Sequence, residues 1–262
     1  LGPARINPTN IHWITSDFIT VQLGWDYYRR EEGSAFDLST RHLMEPLPLN
    51  IAMFDALPIV SFLLKLVSPL LPEDFQFIGI YLALCVILQA VFAYLLFYEY
   101  AKTRHSLSTS MLFSILATAF VAVSPVLLWR WRGHAALSSH WIILAAFWLL
   151  LRSTRVTTSN MLFGFSVLFF ISGGINPYLV VMVFIVFAGA ILRRLSAQGP
   201  ISWAAAAYIL PPAVGFAALM IFGFLVLNAG GALPGGGYGY YSANLLSLID
   251  PGQGRSVLLP KL

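Results

Sequence analysis

Two unbroken apolar runs, 75–100 and 107–129, decide the solvent in which this chain folds. Each is longer than the roughly 20 residues needed to cross about 30 Å of hydrocarbon, and charged side chains occur only near their ends. A lipid interior offers no partner for a free backbone N–H or C=O, so such runs must be helical. With 58% hydrophobic residues and a mean hydropathy of +0.79, the 262-residue chain holds more apolar surface than a soluble domain could bury. The expectation is an all-α polytopic membrane protein.

Further along, 139–151, 160–172 and 177–192 read as shorter spans, and 203–228 as a long one with Pro211-Pro212 near its middle. The run 107–129 should bend near Pro125. That makes about six transmembrane helices. The run 59–71 is too short to cross and is interrupted by Lys65, so it reads as an interfacial helix. Residues 1–50 are too hydrophilic to span and read as a structured loop. Within them Phe18, Val21, Leu23, Trp25 and Tyr28 give 16–30 a loosely helical period, with Ser16 as the candidate N-cap. Trp13, Trp25, Tyr27 and Tyr28 suit the headgroup layer. The chain thus divides into an outer loop (1–74), a helical bundle (75–228) and an outer tail (229–262) whose Gly-rich stretch 230–241 is a loop.

Basic residues orient the bundle, because Lys and Arg accumulate in cytoplasmic loops. With the first loop outside, the inner connections are 101–106, 152–158 and 193–199. They carry Lys102 and Arg104, Arg152 and Arg155, and Arg193 and Arg194, with no acid among them. Ten of the eleven acids fall outside, Glu99 at an inner helix end being the exception.

This orientation makes Arg130-Trp131-Arg132-Gly133-His134, with His140 just beyond, informative. Positive charge on the outer face runs against the usual distribution, so a local use is expected of it. The same layer holds Asp17, Asp26, Arg29, Arg30, Asp55, Asn176 and the tail near Tyr240. Such groups beside lipid suit a phosphate-bearing lipid substrate. Guanidinium forks grip phosphate oxygens in pairs, a carboxylate can take the proton of an attacking hydroxyl, and histidine can hold the leaving phosphate.

Each candidate also has a plainer role. Asp17 can cap a helix, and Asp55 can cap the run that follows it, with Pro58 in the first turn. Arg130 and Arg132 can meet lipid headgroups or acids of the first loop. His134 and His140 are six apart, a poor spacing for a two-histidine metal site on one helical face. Gln89 is expected to hydrogen-bond a neighbouring helix.

Other chemistry is disfavoured. The single Cys85 sits in an apolar run, so neither a disulfide framework nor a thiolate metal site is expected. HExxH and GxxxxGKS/T patterns are missing. Basic residues lie in small separated groups, which does not suit nucleic acid. Span interiors hold almost no ionisable side chains, which argues against ion and proton transport.

A series of segments then carries a resemblance. They are Asn7-Pro8-Thr9-Asn10 with Trp13, Ser16-Asp17, Gln22-Leu23-Gly24-Trp25 and Tyr27-Tyr28-Arg29. Next come Asp55-Ala56-Leu57-Pro58, Leu66-Val67-Ser68-Pro69-Leu70-Leu71-Pro72, Gly133-His134 on to Ser139-His140-Trp141, Asn176-Pro177-Tyr178-Leu179, and Gly239-Tyr240-Tyr241-Ser242-Ala243-Asn244-Leu245-Leu246. Together they resemble bacterial integral-membrane glycosyltransferases of the GT-C type, especially one branch of that class. The resemblance implies a large periplasmic first loop with membrane-parallel helices in the bacterial inner membrane. It also implies a catalytic Asp in that loop and a polyprenyl-phosphate-linked sugar as donor. Carried to this chain, Asp17 is the base or a metal-coordinating carboxylate, with a divalent metal possible, and Asp55 is the second acid. His134 and His140 line the donor phosphate. Arg30, Arg130, Arg132 and Asn176, as polar groups of the same outer layer, complete the candidate substrate-binding set.

A first span ahead of Leu1 and a C-terminal soluble region are expected from the same resemblance. Two positions depart from the pattern: Ser16 stands where Gly precedes the first acid, and Asn176 where His precedes Pro-Tyr-Leu. The departures keep a second expectation open, a non-enzymatic scaffold or accessory subunit with membrane-protein partners. Membrane lipids are partners in either case, and nucleic acid in neither.

Overall fold

The computed structural model describes residues 2–41, 48–131, 133–198 and 203–225. A single turn, α1 (Pro3–Ile6), precedes α2 (Phe18–Arg30), whose buried Phe18, Val21, Trp25 and Tyr28 recur at helical spacing. An antiparallel pair follows, β1 (Ser39–Thr40) with β2 (Leu49–Asn50), in which Ser39 faces Asn50 and Thr40 faces Leu49. A 3-10 turn, Ile51–Phe54, leads to α3 (Pro58–Leu66). At nine residues α3 is about 14 Å long, too short to cross a bilayer. The helix read over 59–71 therefore ends at Leu66, and a separate 3-10 turn, Ser68–Leu70, finishes the run.

The bundle consists of α4 (Ile78–Ala101), α5 (Leu107–Ala122), α6 (Pro125–Arg130), α7 (Trp141–Arg152), α8 (Thr158–Ile175), α9 (Pro177–Gln198) and α10 (Leu210–Ile221). Four segments are long and apolar enough to cross a membrane: α4, the α5–α6 pair, α8 and α9. Helix α7 and helix α10 are shorter apolar helices. The chain is an all-α membrane protein, its only described strands being the two-residue pair. The bend read near Pro125 is an interruption, with Val123 and Ser124 between α5 and α6.

Helices α8 and α9 run past the limits of 172 and 192 read from the sequence. Gly173-Gly174 lie within α8, where the packing leaves no room for a side chain: a Cβ on Gly173 would lie 2.6 Å from Ala218 Cβ of α10. Helices in lipid associate through such close approach rather than through apolar burial. Helix α9 continues through Arg193 and Arg194 because Arg194 is buried and donates to Ser153 O, Val156 O and Thr158 Oγ1. The long helix read over 203–228 is instead a 3-10 segment, Trp203–Ile209, followed by α10. Pro211-Pro212 lie in the first turn of α10, where a missing N–H donor is harmless.

Residues Leu1–Leu225 form one compact unit. One buried cluster runs from Phe18 and Trp25 through Phe77 and Ile78 to Ala135 and Ile142, so the opening segment shares the bundle's core. Trp25 and Tyr28 belong to that core rather than to the headgroup layer. Each is fully buried, with Trp25 Nε1 donating to Phe75 O and Tyr28 Oη to Ala35 O. Gln89 is buried in α4 with no partner for its Oε1, so that oxygen makes no bond to a neighbouring helix among the described residues. The tail 229–262, with its Gly-rich stretch, lies outside the described residues.

Candidate functional site

The backbone is left-handed at Ser16 (φ 54°), Asp55 (φ 53°) and Leu57 (φ 51°), and at no other non-glycine among the described residues. Such a conformation costs an L residue about 1–2 kcal/mol. Strain of this kind persists where surrounding structure over-determines it, often where a side chain must be aimed. Here it falls next to Asp17 and on Asp55 itself.

Asp17 occupies the N-cap position of α2, yet its side chain makes no cap hydrogen bond. Instead its Oδ2 lies 3.5 Å from His134 Nδ1, an ion pair whenever the imidazole is protonated. Asp55 does not cap α3 either, because Leu57 holds that position. Its Oδ1 accepts from Asn176 Nδ2 at 3.5 Å, while Asn176 Oδ1 accepts from Tyr178 N at 3.0 Å. Asn176 thus caps α9 and holds Asp55 with the two ends of one amide. Burial pushes the Asp55 carboxyl up to about 6; the Asn176 amide opposes the rise and the negative charge of Asp17 adds to it. The two acids therefore sense one another.

Gly24 makes this arrangement possible. A Cβ there would fall 2.8 Å from Phe54 Cβ and 2.9 Å from Ala56 Cβ, so α2 lies directly on the turn that presents Asp55. On the bundle side, Tyr81 of α4 shares a buried hydrogen bond with Ser139 and lies within electrostatic reach of Asp55.

A cavity of about 440 Å³ opens beside this cluster, lined by Arg5, Trp13, Thr15, Phe18, Leu128 and Trp131. Thr15 and Phe18 flank Asp17, and Trp131 lies in the turn that carries His134. The indole N–H groups of Trp13 and Trp131 are buried without a hydrogen-bond partner. Leaving a buried donor unpaired costs about 1–3 kcal/mol. The Arg5 guanidinium lies 5.3 Å from the centre of the Trp13 ring. Arg5, the one charged residue among these walls, favours a ligand carrying negative charge.

The other candidates are placed as follows. His140 stands at the N-cap position of α7, with Arg130 within electrostatic reach. Arg132 lies outside the described residues. Arg30 is not part of the cluster: it ends α2, and thirteen helical steps put it about 20 Å from Asp17. Its charge acts on Asp26, whose carboxyl burial pushes upward. Arg29 ties α2 to the 68–73 turn through Ser68, Leu71, Pro72 and Glu73.

Arg5, Tyr81 and Ser139 were not legible as site residues. Arg5 adjoins the Asn7-Pro8 pattern and could have been weighed with it. Tyr81 sits in an uninterrupted apolar run, and no periodicity marks it. Among the described residues no three His, Cys, Asp or Glu side chains gather into a metal site.

A family model described as a domain of unknown function (DUF6311) matches residues 1–262. No curated protein matches the chain, and no solved structure does.

Proposed function

The chain belongs to the DUF6311 family, and we propose that it is a membrane glycosyltransferase moving a sugar from a polyprenyl-phosphate-linked donor. In this reading six helices cross the bacterial inner membrane, and the opening segment faces the periplasm. The observation that carries it is the meeting of Asp17 with His134 and of Asp55 with Asn176, with a cavity walled by Arg5, Thr15 and Phe18 adjoining the Asp17 segment.

The chemistry follows from exposure and charge. Asp17, the more accessible acid, takes the proton of an acceptor hydroxyl as that oxygen bonds to the anomeric carbon. The bond from that carbon to the phosphate oxygen breaks, and its electron pair leaves on polyprenyl phosphate. Arg5 and Arg130 offer cations for that charge, and His134 and His140 offer ring N–H donors. Asp55, raised towards neutrality, holds a proton part of the time and so limits the repulsion between two carboxylates and an anionic donor.

Turnover in proteoliposomes tests the reading. With a panel of polyprenyl-phosphate-linked hexoses and a membrane glycan extract as acceptor, the protein should release polyprenyl phosphate, and Asp17→Asn should not. A wild-type protein that releases none from any donor overturns it.

A further inference from the structure

The far end of the bundle holds a second cluster of a different kind. Tyr81 and Tyr100 lie on α4 about 28 Å apart at helical rise, so this end is remote from the acids. Here the three connections bring together Lys102, Arg104, Arg152, Arg155, Arg193 and Arg194 against one acid, Glu99. Glu99 is buried and answered twice, by Arg155 Nη1 at 2.6 Å and Lys102 Nζ at 2.8 Å. Arg194 is committed to Ser153, Val156 and Thr158.

Arg104 and Arg193 meet no carboxylate among the described residues. Arg104 Nη1 donates to Tyr100 O, and Arg193 Nη1 to Leu150 O at a long 3.4 Å. A guanidinium carries five N–H donors, so both retain capacity for an anion.

Arg104, Arg155 and Arg193 line a polar cavity of about 340 Å³ with Glu99 and Thr103. Through Tyr100 and Leu151, which line both, it continues into an apolar groove of about 290 Å³ walled by Leu96, Phe97, Phe113 and Phe147. We propose that this is a binding site for one anionic phospholipid, its phosphate among the three arginines and an acyl chain in the groove between α4, α5 and α7. Charge complementarity selects this occupant. A zwitterionic lipid would bring its own cation to an arginine cluster, and inorganic phosphate would leave the groove unfilled. The site is independent of the glycosyltransferase reading, since it shares no residue with the Asp17 cluster.

Native mass spectrometry of the purified full chain tests it, with phosphatidylglycerol, phosphatidylcholine and inorganic phosphate as probes. One phosphatidylglycerol should survive delipidation and phosphatidylcholine should not. Inorganic phosphate alone should give no adduct and should not displace the lipid. R104Q/R193Q should weaken phosphatidylglycerol about thirtyfold, while R104K/R193K keeps most of the affinity. Equal retention of the two lipids, displacement by inorganic phosphate, or unchanged affinity in R104Q/R193Q would overturn the site. Should R104Q/R193Q fail to fold, the wild-type comparison of the two lipids decides alone.

Discussion

His134 Nδ1 stands 3.5 Å from Asp17 Oδ2, joining the N-terminal end of α2 to the turn between α6 and α7. Asp17 gives this contact what an N-cap residue ordinarily gives its helix.

Asp17→Ala should therefore shift stability by less than about 0.5 kcal/mol, well below the loss of roughly 1 kcal/mol typical of a working cap. Thermal unfolding in detergent checks this. Turnover of the same variant should fall about 10²–10⁴-fold, the range for loss of a general base.

Asp55 makes the protein pH-sensitive. Its carboxyl rises from 3.8 to about 6 in the folded chain, so the native state holds a proton that the unfolded chain has already lost. The contribution of this group is full below about pH 4 and declines as pH climbs through about 6. Asp55→Asn removes that decline and keeps an oxygen to accept from Asn176. Melting temperatures of variant and parent should then converge near pH 4 and separate at pH 8, with the variant higher. Parallel curves over that range would contradict the assignment.

Ser16 carries left-handed backbone at φ 54°. Ser16→Gly should be tolerated within about 1 kcal/mol, whereas Ser16→Val should cost about 1–2 kcal/mol or more, because a β-branched residue fits this region worst. The spread between the two variants in chemical unfolding is the quantity to measure.

Gly24→Ala would set a Cβ 2.8 Å from Phe54 Cβ. Relief requires moving α2 or the Asp55 turn, at a cost of about 1–3 kcal/mol. Turnover should fall along with stability, although Gly24 itself has no chemistry.

Much of the bundle was readable from apolar length alone, since only run length and helix-end charge were needed. Helix α4, for example, runs Ile78–Ala101 where 75–100 was read. What failed depended on partners distant in sequence. Gly173 leaves room in α8 for the close approach of Ala218, and Arg194, within α9, donates to the α7–α8 turn. Trp25 looks like a headgroup residue until Phe75 O accepts its N–H. For the candidate site, the lateral placement of residues was not legible. Nothing in the spacing separates Asp17, which meets His134, from Arg30 at the far end of the same helix, and Tyr81 has no polar neighbour in sequence to mark it.

The most direct test is an electron cryo-microscopy map of the full chain with polyprenyl phosphate added. The account predicts phosphate density in the cavity walled by Arg5, Trp13 and Trp131, against Asp17 and His134. Phosphate density confined to the Arg104–Arg193 end, with that cavity filled by protein side chains, would contradict it.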